Sequence, residues 1–371
     1  MAEPSDELKA HRARLRAQCQ VLHGAAPELA HLELERIATW CAEHDIDSDS
    51  YGEGAGLQAF ESRVADMLGY PTARFMPSGT MAQQIAARVW AERTGSLLVG
   101  MHPTCHLELH EQHGYERLHG LHAVHVGAAG APMLPRDLAH TSENIGSLIV
   151  ELPTRENGGQ LASWDDLVEL CTLARERGIA THLDGARLWE AAAGYERPLD
   201  EICELFDSAY VSFYKGIGAL PGSMLLGPAD VIDEAILWQR RHGGNLYTQL
   251  ANWVSADMRL DAQIAKMPQF RNRAIELAAV LNGIDGISTN PQVPQTSMFH
   301  VFVHGDEGAL LAARDQVAEE LGIWLFGGVQ ATEVPHVVTF ELAVGDAALV
   351  VDDAAIVGAF QTMVRTAVQS A

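Results

Sequence analysis

The chain has 371 residues, 47% of them hydrophobic, too long for one minimal core and too apolar for disorder, so two or three domains are expected. Its 25 Lys and Arg stand against 49 Asp and Glu, a net charge of −24 that repels polyphosphate backbones and argues against a nucleic-acid partner. Five scattered cysteines, Cys19, Cys41, Cys105, Cys171 and Cys203, odd in number and without CxxC spacing, argue against a disulfide framework or a zinc ribbon and fit a reducing cytoplasm. No metal site is expected.

The N-terminus, MAEPSDELKAHRARLRAQ, is charged and lacks the apolar core of a signal peptide. No run approaches the roughly 18 apolar residues of a membrane span, so neither export nor membrane insertion is expected. Residues 1–50 read as an N-terminal helical segment, 51–250 as a large ligand-binding domain, and 251–371 as a linking helix followed by a small α+β domain.

In the large domain a short strand in ARFM runs into Pro77, Ser78, Gly79 and Thr80 and then a helix, presenting free backbone N–H groups and hydroxyls at a helix N-terminus. Such a terminus suits a phosphate. Next come the strand-like run Ser96–Gly100 and the histidine segment HPTCHLELHEQHG, in which His106 follows a strand end. Ser147–Leu152, Ile179–Leu183 and Ala209–Phe213 continue the apolar runs, alternating with helical patterns as a mostly parallel, helix-covered α/β sheet does. The clearest helix is ASWDDLVELCTLARERG, with Ser163 and Asp166 as a capping box, Leu167, Leu170, Cys171 and Leu173 near one face, and Gly178 as its stop.

HLDGARLWEA puts Asp184 directly after a buried-type strand, at the carboxyl end where open α/β sheets bind ligands. DSAYVSFYKGIGALPG puts Lys215 after another strand, among small residues that leave room for something flat. A lysine amine that forms a Schiff base, and an acid that keeps a pyridine nitrogen protonated, are what pyridoxal phosphate (PLP) requires. The pair predicts that cofactor. Beyond residue 250 a long helical segment (about 250–282), strand-like Met298–Val303 and Val337–Leu342, and an amphipathic end at Asp353–Val368 build the small domain.

YGEGAGLQAFESRVADMLG, MPSGTMAQQIA, the histidine segment, HLDGARLWEAA and SFYKGIGALPGSMLLG together resemble the low-specificity L-threonine aldolase and β-eliminating lyase family, in order and spacing, from Asp49 to Gly227. The resemblance implies an aspartate-aminotransferase-like PLP fold of type I. It also implies a homodimer or homotetramer with active sites at subunit interfaces and a small amino-acid substrate. Carried over, Ser78, Gly79, Thr80 and Ser212 contact the cofactor, His106 stacks on its ring, Asp184 binds the ring nitrogen, and Lys215 is the Schiff-base lysine. Arg187 faces the cofactor hydroxyl or the substrate carboxylate, Arg241 matches an RKxxGG-like segment, and Tyr51 joins the substrate side. The implied activity is cleavage of a β-hydroxy-α-amino acid to glycine and an aldehyde. β-Elimination, or aminotransferase or racemase chemistry on the same scaffold, is the alternative, with a non-catalytic PLP-binding protein behind both. His102, His106, His110, His122 and His125 are all candidates for the general base.

Three departures mark the substrate side. VLHGAAPE places His23, Gly24 and Ala25 where the family has hydroxyl-bearing residues, PHVVTFEL places His336 where the family has a carboxylate-binding arginine, and Tyr214 replaces the serine before the lysine.

Overall fold

The structure, a computed structural model, describes residues 5–25 and 29–370. The chain forms two compact units: Leu29–Glu156 with Leu161–Lys266, and the described residues of Met1–Glu28, Asn157–Gln160 and Met267–Ala371. In chain order the strands are β1 (Gln20–Val21), β2 (Thr72–Met76), β3 (Leu98–Met101), β4 (His122–His125), β5 (Ser147–Glu151), β6 (Ala180–Gly185), β7 (Ser208–Ser212), β8 (Ser223–Gly227), β9 (Ile287–Asn290), β10 (Met298–His304), β11 (Ile323–Trp324), β12 (Gln330–Ala331) and β13 (Val337–Ala343).

The larger unit carries a seven-stranded sheet in the order β2-β8-β7-β6-β5-β3-β4. It is parallel except for β8, which runs against both neighbours. Strands β6, β7 and β8 are buried along their whole length, which is why their sequences do not alternate apolar with exposed polar residues, and β6 carries His182 and Asp184 inside the protein. Helix Gly79–Thr94 starts at the end of β2, where Ser78 Oγ accepts from Met81 N–H, and stops at Gly95, whose φ of 70° suits glycine. Its Ala82, Ile85, Ala86 and Val89 pack on Met76, Tyr210 and Leu225. His182 in β6 ties this helix to the sheet by bonding Gln83 Oε1 at 2.9 Å and Ser208 Oγ at 2.8 Å, and burial pushes its pKa down to about 3, so it works as a neutral strut.

Helix Trp164–Glu176 begins as expected: Ser163 Oγ accepts from Asp166 N–H, and Leu167, Leu170, Cys171 and Ala174 are buried. Leu173 is only half-buried, and Ala174 takes the inward position expected of it. The single helix expected over 250–282 is two, Leu250–Ile264 and Met267–Asn282. Pro268, placed where its missing N–H costs nothing, restarts the chain in the second.

In the smaller unit β13 pairs with β10 and β12, and β10 also with β9, all antiparallel. Alternate residues of β13 are buried, and Phe340 stacks between Phe326 and Phe360, at centroid distances of 4.3 and 6.4 Å. The amphipathic end forms helix Asp353–Ser370. Among the described residues no helix is long and apolar enough to cross a membrane.

Candidate active site

The carboxyl edge of the larger sheet collects most of the chemically distinctive residues. The β5–β6 register puts Glu151 opposite Asp184, and the β6–β7 register puts Asp184 opposite Tyr210. Asp184 is 1% exposed, and its Oδ1 accepts from Ala186 N–H at 3.1 Å. Burial pushes its acid up, opposed by the charges of Lys215 and His106 and by the Ala186 amide.

Lys215 sits on the Phe213–Gly222 turn that joins β7 to antiparallel β8. That turn is closed by Phe213 N–H to Gly222 O at 3.1 Å, Ala219 N–H to Phe213 O at 2.9 Å and Gly218 N–H to Lys215 O at 2.9 Å. Burial and the Arg187 guanidinium draw the Lys215 amine below its usual range, while Asp184, Glu151 and Glu190 pull the other way. Gly216 lies so close to the Glu190 carboxylate that a Cβ there would displace it. Glu151 faces the same cluster: its Oε1 accepts from Arg155 N–H at 3.0 Å, while its Oε2 is buried without a hydrogen bond. Burial, with Asp184 beside it, raises its pKa to about 8.

At the end of β2, Ser78 Oγ is committed to the Met81 amide, leaving the Gly79 and Thr80 N–H groups as the first of the helix, without intrahelical acceptors. Gly79 is buried so closely against Tyr210 that a Cβ would overlap the phenol oxygen. Ser212 Oγ lies buried beside that phenol, with which it interacts, and makes no hydrogen bond of ordinary geometry. An orphaned hydroxyl, a helix N-terminus and a glycine that only fits without a side chain match an anionic group such as a phosphate.

His106 opens a short helix after β3. Its Nδ1 donates to Glu111 Oε1 at 3.1 Å, and Glu111 Oε2 accepts from Gln84 Nε2 at 2.9 Å, so a buried carboxylate fixes the ring. His110, one turn on, has its ring centre 5.1 Å from that of His106.

The other sequence candidates lie elsewhere. His102 is 3% exposed, with Nδ1 on Thr104 and Nε2 on the Ala128 and Ala131 carbonyls, which corrects its candidacy as a base: both nitrogens are structural. His122 and His125 stand exposed on edge strand β4. Arg241 ends helix Ala229–Arg241, stacked over Trp238 at 4.4 Å and within the field of Glu92, in the last turn of helix Gly79–Thr94 and so at the opposite end from Ser78. Tyr51 is 56% exposed, with a φ of 52°, its amide on Tyr247 O and its ring edge-on to Tyr247. His23 and His336 belong to the smaller unit, where His23 Nδ1 accepts from Ala343 N–H at 3.2 Å and His336, exposed, has a φ of 59°. Thus Asp184, Arg187, Lys215 and His106 come together, with Ser78, Gly79, Thr80 and Ser212 along the same sheet edge. Three participants escaped the sequence reading, namely Glu111, Glu151 and Glu190.

The profile of the beta-eliminating lyase family matches residues 35–304. Low-specificity L-threonine aldolase 1 of Arabidopsis thaliana is 27% identical over 296 residues, 76% of this chain and 82% of the relative. A crystal structure from Listeria monocytogenes EGD-E, assigned as an L-allo-threonine aldolase, superposes with a TM-score of 0.91 at 36% identity, covering 97% of this chain and 99% of that one. Another, from Exiguobacterium sp. 255-15 and assigned as an aromatic amino acid beta-eliminating lyase/threonine aldolase, gives 0.89 at 36% identity, covering 96% and 99%. With its mostly parallel mixed sheet, its small C-terminal sheet unit and this fold-type-I PLP site, the chain belongs to the beta-eliminating lyase family of PLP-dependent lyases.

Proposed function

We propose that the enzyme cleaves a threonine-like β-hydroxy-α-amino acid to glycine and an aldehyde. What supports this reading is the convergence of Asp184, Lys215, Arg187 and His106 at one sheet edge, in a chain whose relatives carry the threonine aldolase name. When bound, PLP supplies an electron sink for the pair released from the Cα–Cβ bond.

Lys215 Nζ would hold the cofactor covalently, Asp184 its ring nitrogen, and the Gly79 and Thr80 amides with Ser212 Oγ its phosphate, while the His106 ring would lie against its face. Burial and Arg187 favour the uncharged amine of Lys215, the form that attacks a carbonyl. Asp184, ionised against a protonated ring nitrogen, would keep that proton in place. Glu151, uncharged beside it, avoids placing two negative charges at one strand end. Arg187, whose charge reaches Lys215 and Glu151, would serve the substrate carboxylate or the cofactor hydroxyl, and its planar fork would give a carboxylate bidentate recognition that a lysine does not.

A homodimeric or homotetrameric assembly in the cytoplasm belongs to the same reading, supported by the family resemblance and by five unbridged thiols. Light scattering on the purified protein tests the assembly. The activity is tested by incubating the holoenzyme with threonine, allo-threonine, phenylserine and serine and separating the products. Glycine with aldehyde is expected, whereas ammonia with keto acid would sink the aldolase reading in favour of β-elimination.

A further inference from the structure

We propose that His110, oriented by Glu156, is the residue that takes the proton from the substrate's β-hydroxyl group. This rests on the active-site reading above and goes beyond it by assigning the base. His110 lies one helical turn past His106, so the two side chains share a face, and their ring centres are 5.1 Å apart with planes at 47°. With His106 against the cofactor's face, a ring one turn further on would stand beside the cofactor rather than over it.

The partner that orients His110 comes from a different loop. Its Nε2 is 2.8 Å from Glu156 Oε1, and Arg155 Nη1 donates to the same oxygen at 3.0 Å. Arg155 Nη1 also lies 3.5 Å from Nε2, but the contact to Glu156 is much the shorter and an ionised carboxylate only accepts, so the hydrogen sits on Nε2 and Nδ1 is left as the basic nitrogen. Glu156 follows β5 and His110 follows β3, neighbouring strands in the sheet, and β5 is paired on its other side with β6, which carries Asp184. The His110–Glu156 bond therefore spans the two loops bordering the Asp184–Lys215 edge. Base, orienting carboxylate and a nearby cofactor-holding group are the parts that proton abstraction needs.

The rival histidines are placed less well. Both nitrogens of His102 are spent on Thr104 and backbone carbonyls, His106 is the ring that would lie flat against the cofactor, and His122 stands exposed on edge strand β4. His125 approaches Glu108 from edge strand β4. His110 and Glu156 are 37% and 24% exposed at their side chains, open enough for a small substrate to reach. The charged and titratable groups around the ring are Glu156, Arg155, His106 and, behind His106, Glu111.

In the step proposed, the O–H bond breaks toward His110 Nδ1, an oxygen electron pair becomes the second bond of the aldehyde carbonyl, and the Cα–Cβ bond breaks. The released pair finally binds a proton at Cα, which gives glycine. No water, oxidant or reductant is consumed.

The test uses the holoenzyme with His110→Phe, His110→Asn and Glu156→Gln, each checked for the bound-cofactor absorbance. Two reactions are followed: aldehyde release from phenylserine, and deuterium exchange at Cα of glycine in D2O, which needs the cofactor and Lys215 but no β-hydroxyl base. In both His110 variants cleavage should fall by roughly 100- to 10,000-fold, the range of general-base contributions, while glycine exchange holds. Glu156→Gln should cost less, and nitrogen NMR of the cofactor-free protein should show the His110 ring losing its preference for hydrogen on Nε2. Wild-type cleavage rates in both His110 variants, or equal loss of cleavage and exchange, overturn the proposal. A wild-type enzyme that exchanges glycine but releases no aldehyde from any β-hydroxy substrate defeats the aldolase reading, and with it the need for this base.

Discussion

Replacing Glu151 by Gln should make the cofactor-free protein more stable, and by an amount that grows with pH. In the folded chain this carboxyl titrates near 8 rather than near its ordinary 4.5, because its Oε2 is buried without a partner and Asp184 stands opposite it. Between those values the folded state holds a proton that the unfolded state has released, so stability falls as pH rises, by about 1.4 kcal/mol per unit. The stabilising contribution is complete below the unfolded value and is lost as pH climbs through the folded one. From pH 5.5 to 8 the slope accumulates to roughly 3 kcal/mol. Glutamine keeps the shape and has no proton to lose, so that part of the slope disappears. Urea denaturation of wild type and Glu151→Gln at pH 5.5, 6.5, 7.5 and 8.5 measures it. A stability difference that stays constant over that range would refute the reasoning, because it would mean that Glu151 is charged in the folded state throughout.

Borohydride treatment of the holoenzyme should fix the cofactor to Lys215, and Lys215→Ala should leave no adduct on peptide mapping. Asp184→Asn should keep the fold but cut cleavage by roughly 10- to 150-fold, the equivalent of one charge-assisted bond of about 1.5–3 kcal/mol, and full activity in that variant would remove Asp184 from the site. Gly79→Ala should weaken PLP binding by roughly 5- to 150-fold, since overpacking against buried Tyr210 costs about 1–3 kcal/mol, and titration of cofactor fluorescence would reveal an unchanged affinity if that contact is harmless.

Asp184, Lys215 and Gly79 were legible because each stands where a strand ends, in a local context that makes little sense otherwise: an acid closing a buried run, a lysine among glycines, a glycine at a helix start. Glu151 was not, although it is the only charge in SLIVEL, because its importance depends on a register with Asp184 that no local pattern encodes. Glu111 and Glu190 were hidden among 49 acidic residues, and what distinguishes them is burial, which the sequence does not display. The break after Ile264 did leave a signal in Pro268, outweighed by continuous helical periodicity on both sides. Arg241 rests on the RRHGGN match, and within one chain it stands in the last turn of a helix, stacked on an indole.

The reversed direction of β8 also bears on how substrate range could be changed. Because β8 returns alongside β7, the Lys215 turn is pinned at both ends to adjacent strands, and an inserted residue would be felt at both anchors at once. The loops after β3 and β5 lead instead into long crossovers, where added length is absorbed at small entropic cost. Libraries aimed at new aldehydes should therefore place their variation within 107–114 and 152–156, sparing His110, Glu111, Arg155 and Glu156, and leave the hairpin that aims the lysine untouched.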